Sequence, residues 1–153
     1  MYSNNLVCDI IEYINNNINK DITIDELVNR FYYNRTYIMK RFKKEIGVKI
    51  HDYINTIRIL NSLEYYQYNN YILSIALKNG FTSIEYYSEI FKKDLGVNPL
   101  KYKKFINRSL DIGNDDVDVI IDNINRCNNL KMFVSDYLNK RKPTKRMEKV
   151  FKL

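Results

Sequence analysis

Apolar residues recur every three or four positions over long stretches of this chain, the period of a helix with one buried face. Val7, Ile10, Ile11, Ile14 and Ile18 make one such stripe and predict an opening helix. Ile50, Tyr53, Ile54, Ile57 and Leu60 make another, within a run from Ile50 to Gln67 that holds neither Gly nor Pro. That run predicts one long connecting helix over 50–68. A third stripe passes through Val117, Ile120, Ile121, Ile124, Cys127, Val134, Tyr137 and Leu138, with a break expected near Asn128-Asn129. Four Gly and two Pro in 153 residues are too few breakers for a hairpin-rich β fold. The pattern predicts an all-α protein.

The polar punctuation between these stripes is organised as a repeat. Phe42-Lys43-Lys44-Glu45-Ile46-Gly47-Val48 returns 49 residues later as Phe91-Lys92-Lys93-Asp94-Leu95-Gly96-Val97, and Tyr37 and Tyr53 match Tyr86 and Tyr102 at the same offset. Upstream the offset is 48, pairing Leu27-Val28 with Ile75-Ala76 and Tyr32-Tyr33 with Gly80-Phe81, so the second turn holds one extra residue. Each copy reads as helix, short turn, helix. In the first, Thr23 to Glu26 is a predicted capping box, and Asn34 is the expected N-cap of a second helix that stops before Gly47. In the second, a short helix from about Ile72 to Asn79 ends at Gly80. Thr82 to Glu85 is the predicted capping box of the next, and Asn98-Pro99 opens a third helix. The expected organisation is two helix-turn-helix subdomains (about 5–48 and 71–106, within 1–108) joined by the linker helix. An acidic helical extension over 109–139 and a basic tail over 140–153 follow.

A helix turns 100° per residue, so the outward face of each second helix follows from its buried side. With Ile38, Phe42 and Ile46 inward, Thr36, Lys40, Lys43 and Lys44 face out, with Arg35 and Met39 beside them. Lysines reach guanine acceptors and phosphates, and a threonine methyl meets a thymine methyl, so this face suits the major groove of double-stranded DNA. In the second copy Tyr87 and Phe91 point inward, leaving Glu85, Glu89, Lys92 and Lys93 outward and Ile84 and Ser88 at the margin. Two carboxylates oppose a phosphate-lined groove unless they accept hydrogen bonds, for instance from cytosine N4. The first unit is therefore expected to supply most of the affinity.

These residues resemble the AraC/XylS family of bacterial regulators from about Val7 to Ile106. The resemblance is most specific in Ile75-Ala76-Leu77-Lys78-Asn79-Gly80-Phe81, Tyr86-Tyr87-Ser88-Glu89-Ile90-Phe91-Lys92-Lys93, and Gly96-Val97-Asn98-Pro99 with Tyr102. It implies an all-α domain whose two recognition helices enter successive major grooves, and a sequence-specific transcription regulator, usually an activator that touches RNA polymerase. Arg58 stands where the family's linker helix carries an arginine, with a structural role expected. Three departures stand out: Tyr32 in place of a turn glycine, which predicts a looser first turn; Tyr65-Tyr66 in place of two leucines; and Glu89 in place of an arginine that faces DNA. Because the domain begins within a few residues of Met1, the family's ligand-sensing domain is not expected before it. Control by abundance or through the extension is the expectation.

Charge divides the chain further. The net charge is +7, with 16 Lys/Arg against 11 Asp/Glu in residues 1–110, 2 against 6 in 111–139, and 7 against 1 in 140–153. Asp115, Asp116 and Asp118 lie at the start of the extension's helix, where acids oppose its dipole. The extension is read as packing on the domain, giving a monomer, in preference to pairing two copies as a homodimer. The basic tail is read as a solvated end, with a phosphate-binding arm as the functional alternative.

The remaining inventory excludes other chemistry. Cys8 and Cys127 are far apart and form no metal-ligand pair, no signal peptide or membrane span is present, and a cytoplasmic setting is expected. His51 is the sole histidine. No catalytic triad, carboxylate pair, phosphate loop or metal cluster assembles, so neither an enzyme nor a cofactor is expected. The tyrosines are expected mostly on helical core faces. The second function class is an adaptor or anti-activator that keeps the fold and grips a protein through Glu85, Glu89 and the acidic extension.

Overall fold

The computed structural model describes residues 5–107 and 114–141, with side chains from 116 onward in the second stretch. Those residues form eight α-helices and one 3-10 segment, with no strand among them. The first lobe comprises α1 (Leu6–Asn16), α2 (Ile24–Phe31) and α3 (Arg35–Ile46). Helix α4 (Ile50–Ser62), continued by the 3-10 segment Leu63–Gln67, leads to α5 (Ile72–Lys78), α6 (Ile84–Leu95) and α7 (Pro99–Ile106). Helix α8 (Asn114–Arg141) completes the fold. The basic segment over 142–153 lies outside the described residues, as does the side chain of Asp115.

The repeat in sequence is a repeat in space. Ile38 and Phe42 of α3 are fully buried in one core, and Tyr87 and Phe91 of α6 are fully buried in the other. Burying a side chain of this size stabilises by about 2–3 kcal/mol. Tyr53 and Tyr102, one repeat apart, are both buried, whereas Tyr37 and Tyr86 are both exposed. Of the thirteen described tyrosines, Tyr53, Tyr66, Tyr87, Tyr102 and Tyr137 are buried and Tyr13, Tyr33 and Tyr65 pack part-buried on the cores, whereas Tyr32, Tyr37, Tyr68, Tyr71 and Tyr86 stand at the surface. Tyr32 and Gly80 occupy equivalent turn positions, and both have left-handed backbones, at φ 61° and 89°. The first turn therefore keeps the left-handed geometry despite lacking a glycine.

Several local expectations change. Helix α1 ends at Asn16, so Ile18 packs on the first core from the loop that follows. Thr23 accepts the Glu26 backbone N–H, but the Glu26 carboxylate accepts the Tyr13 hydroxyl at 3.1 Å instead of reaching back to the cap. The N-cap of α6 is Ser83, which accepts the Tyr86 N–H at 3.1 Å, and not Thr82. Thr82 is the extra residue of the second turn. It lengthens the turn before the cap, so Ser83 takes the place that Asn34 holds 49 residues earlier.

The predicted linker over 50–68 is α-helical only to Ser62. The buried Ser62 hydroxyl donates to the Ile59 carbonyl at 2.6 Å and lies 2.9 Å from the Tyr87 hydroxyl. The chain then tightens into a 3-10 segment that carries Tyr66 into the second core, against the rings of Phe91 and Tyr102. No breaker marks this change because its cause is the packing of Tyr66.

Helix α8 runs without a break past Asn128-Asn129. Its residues Ile120 and Cys127 are buried in the second core, and Val134 and Tyr137 in the first. One helix thus seals both lobes. Lys101 of α7 meets Asp116 near its start at 2.8 Å. Among the described residues no helix is long and apolar enough to cross a membrane.

Candidate nucleic-acid interface

Helix α3 is held by its caps and by one buried side. Asn34 accepts the Tyr37 N–H at 2.8 Å, and Gly47 closes the other end with a left-handed backbone whose N–H bonds the Lys43 carbonyl. With Ile38, Phe42 and Ile46 buried, the opposite side is fixed by geometry. Arg35, Thr36, Met39, Lys40, Lys43 and Lys44 are all exposed on it. Among the described residues none of its four cations is paired with a carboxylate. The face is a free positive surface on a rigid rod, with one hydroxyl and one thioether among the charges.

Residues that the sequence reading did not single out complete this surface. The ring of Tyr33 stacks on that of Tyr37, centroids 5.0 Å apart and 20° between planes. Arg41 donates to the Tyr37 hydroxyl at 2.9 Å and to the Glu45 carboxylate at 2.7 Å. Tyr33, Tyr37, Arg41 and Glu45 thus form a ladder one turn apart, and that spacing was the available signal. Tyr37 and Arg41 line an open depression of about 930 Å³ together with Arg35, Thr36, Lys40 and Lys44. Burial pushes the Glu45 carboxyl up, but hydrogen bonds from Tyr137 and Arg41 outweigh it and hold the group below the usual glutamate range.

The equivalent face of α6 is less basic. Glu85, Glu89 and Lys92 are exposed, whereas Ile84 and Ser88 are half-buried at the margin. With the cap at Ser83, Glu85 is not the acid of a capping box, and among the described residues neither the Glu85 nor the Glu89 carboxylate has a hydrogen bond or an ion pair. Lys93 lies 3.7 Å from Asp52 of α4, which leaves Lys92 as the unpaired cation of this helix among the described residues. The structure brings the predicted residues of each helix to one face, and the two faces differ in charge.

Between the lobes Arg58 is buried and donates to the carbonyls of Ile18 at 2.8 Å and Lys20 at 2.6 Å, with its guanidinium 5.9 Å from the centre of the Phe81 ring. Burial lowers its pKa, opposed by the nearby Asp21. Its role is structural.

Three similarities place this arrangement. The transcriptional regulatory protein HptR of Staphylococcus aureus is 32% identical over 103 residues, which cover 67% of this chain and 41% of that protein. The solved structure of a Listeria innocua protein of unknown function superposes with a TM-score of 0.62 at 30% identity, covering 65% of this chain and 95% of that one. The DNA-binding domain of AdpA, a global transcriptional factor solved with a target DNA, superposes with a TM-score of 0.61. At 19% identity, over 70% of this chain and 97% of that one, it shares the fold alone. The chain spans about two-fifths of the length of the curated relatives it matches. The model of the family described as a helix-turn-helix domain matches residues 27–104, just over half of the chain, taking in both turns, α3, α4 and α6. The chain belongs to this family of AraC-type helix-turn-helix domains.

Proposed function

We propose that the chain binds duplex DNA sequence-specifically and regulates transcription as an activator, with α3 as its principal reading helix. The observation that carries this is the outward face of α3, where Arg35, Lys40, Lys43 and Lys44 stand exposed and unpaired among the described residues. Such a helix fits a major groove, with its lysines on phosphates or guanine edges and Thr36 and Met39 against bases. The similarity to the transcriptional regulatory protein of S. aureus and the fold shared with the DNA-bound AdpA domain support the same reading. Helix α6 contributes the second, weaker contact, since Glu85 and Glu89 bind only where a base amino group donates to them. RNA polymerase is the partner implied for an activator, and the buried inner face of α8 supports a monomer.

Selection from a random duplex library at near-physiological salt tests this reading. It predicts one strong half-site and a weaker one about a helical turn away. Recovery of no motif, with only weak salt-sensitive binding, would contradict it.

A further inference from the structure

The family match stops at residue 104, yet α8 beyond it touches the same end of both α3 and α6. The last turn of any α-helix leaves backbone carbonyls without partners inside the helix. In α6 two of these are taken by α8: Arg126 donates to the Asp94 carbonyl at 2.9 Å and Asn123 to the Leu95 carbonyl at 3.1 Å. The approach is close because the next residue is glycine. A Cβ on Gly96 would stand 2.7 Å from the Val119 side chain and 2.9 Å from the Asn123 amide. Further along α8, Tyr137 donates its hydroxyl to the Glu45 carboxylate, in the last turn of α3. Arg141, one turn later, lies 3.8 Å over the Tyr137 ring.

The two attachments are separated by about 21 Å of unbroken helix, from a rise of 1.5 Å per residue between Asn123 and Tyr137. Buried residues of α8 anchor each end, Ile120 and Cys127 in one core and Val134 and Tyr137 in the other. Without α8 the lobes are joined by α4 and by the Arg58 clasp beside the Gly80 turn, and nothing ties the C-terminal ends of α3 and α6 to each other. A second rod fastened at both ends supplies that tie.

We infer that α8 is a strut that sets the separation of α3 and α6, and thereby the spacing of half-sites the chain accepts, with Asn123, Arg126 and Tyr137 as its positioning residues. This rests on the DNA-binding reading above and adds to it a specificity that no base contact supplies. One inserted base pair displaces a half-site by 3.4 Å along the duplex and rotates it by about one-tenth of a turn. A rigid pair of lobes rejects that displacement, whereas a pair without the strut follows it.

The test uses the full chain and two variants, each removing the polar attachment that sets the position of one end of the strut while keeping the buried residues that hold α8 in place. These are Asn123→Ala with Arg126→Ala, and Tyr137→Phe. The probes are duplexes bearing the two half-sites that selection recovers, at the selected spacing and with one base pair added or removed. The wild-type chain is expected to lose about tenfold or more at the altered spacings, the cost of about 1.4 kcal/mol. Either variant is expected to stay within about threefold of wild type at the selected spacing and to lose less than about threefold when it changes. Sharp spacing retained in both variants would overturn the strut, as would a parallel loss at every spacing. A single half-site recovered by the wild-type chain would overturn the strut and leave DNA binding standing, whereas no motif at all would sink both.

Discussion

The guanidinium of Arg58 occupies the space that a side chain at Gly80 would need: a Cβ there would lie 2.8 Å from Arg58 Nε and 2.8 Å from the Ile18 carbonyl oxygen. Gly80 is therefore required twice, by its φ of 89° and by its neighbour. The Gly80→Ala variant is expected to lose about 2–4 kcal/mol, the sum of left-handed strain and displacement of a buried group. Arg58→Ala is expected to lose a similar amount, about 2–4 kcal/mol, by stranding the carbonyls of Ile18 and Lys20. Urea unfolding monitored by helical circular dichroism reads both, and a loss below 1 kcal/mol in either would show that the clasp is dispensable.

Tyr32 offers the converse experiment. It holds a left-handed backbone at φ 61° with its side chain 90% exposed, so its ring returns little packing for the strain. Tyr32→Gly is expected to stabilise the chain by about 0.5–1 kcal/mol, the relief of strain less the greater unfolded freedom of glycine. The same unfolding measurement decides it, and destabilisation would mean that the ring makes a contact of value.

The buried hydroxyls of Ser62, Tyr87 and Tyr66 form a chain, with Tyr87 in the middle at 2.9 and 2.7 Å from the other two. Burial raises the pKa of Tyr87 to about 12 and that of Tyr66 further, so both are neutral throughout the physiological range. Tyr66→Phe leaves Tyr87 bonded to Ser62 and is expected to cost about 1 kcal/mol. Tyr87→Phe strands the fully buried Tyr66 hydroxyl and is expected to cost about 2–3 kcal/mol. Equal losses in the two variants would remove the middle position from Tyr87.

Glu45 predicts an acid sensitivity. Arg41 on its own helix and Tyr137 and Arg141 on α8 hold its carboxyl below the ordinary glutamate value of 4.5, against the effect of burial. A folded pKa below the unfolded one gives stability that is fully present above about pH 4.5 and lost as pH falls through the lower folded value. Wild type is therefore expected to lose more stability than Glu45→Gln in that acid window, and chemical unfolding at a series of pH values compares them. Parallel pH profiles would show that Glu45 gains nothing from its partners.

Much of this architecture was legible in the sequence because the repeat carried it. The pairing of Tyr32 with Gly80 marks both turns, and that of Phe42 with Phe91 and of Gly47 with Gly96 marks the buried side and the end of each second helix, and with them both outward faces. The same offset of 49 from Asn34 points to Ser83 as the cap, where the local capping pattern favoured Thr82. Other features were not legible. The change to a 3-10 helix after Ser62 depends on Tyr66 packing against a helix that begins some twenty residues later. The stripe of α8 showed a buried face but not its two addresses, since periodicity names no partner. At the interface, helical geometry yielded the exposed cations, while the Tyr33–Tyr37 stack and its link to Arg41 emerged only once the turn before α3 was placed.

The most direct test of the central claim is the salt dependence of DNA binding by wild type and by the double variant Lys40→Ala, Lys43→Ala. Both side chains are exposed, so the fold is expected to be unaffected. If α3 reads the groove, the double variant binds the selected site about tenfold or more weakly at near-physiological salt, and its slope of log affinity against log salt is shallower by about 1–2. An unchanged affinity and an unchanged slope would contradict the assignment of α3 as the reading helix.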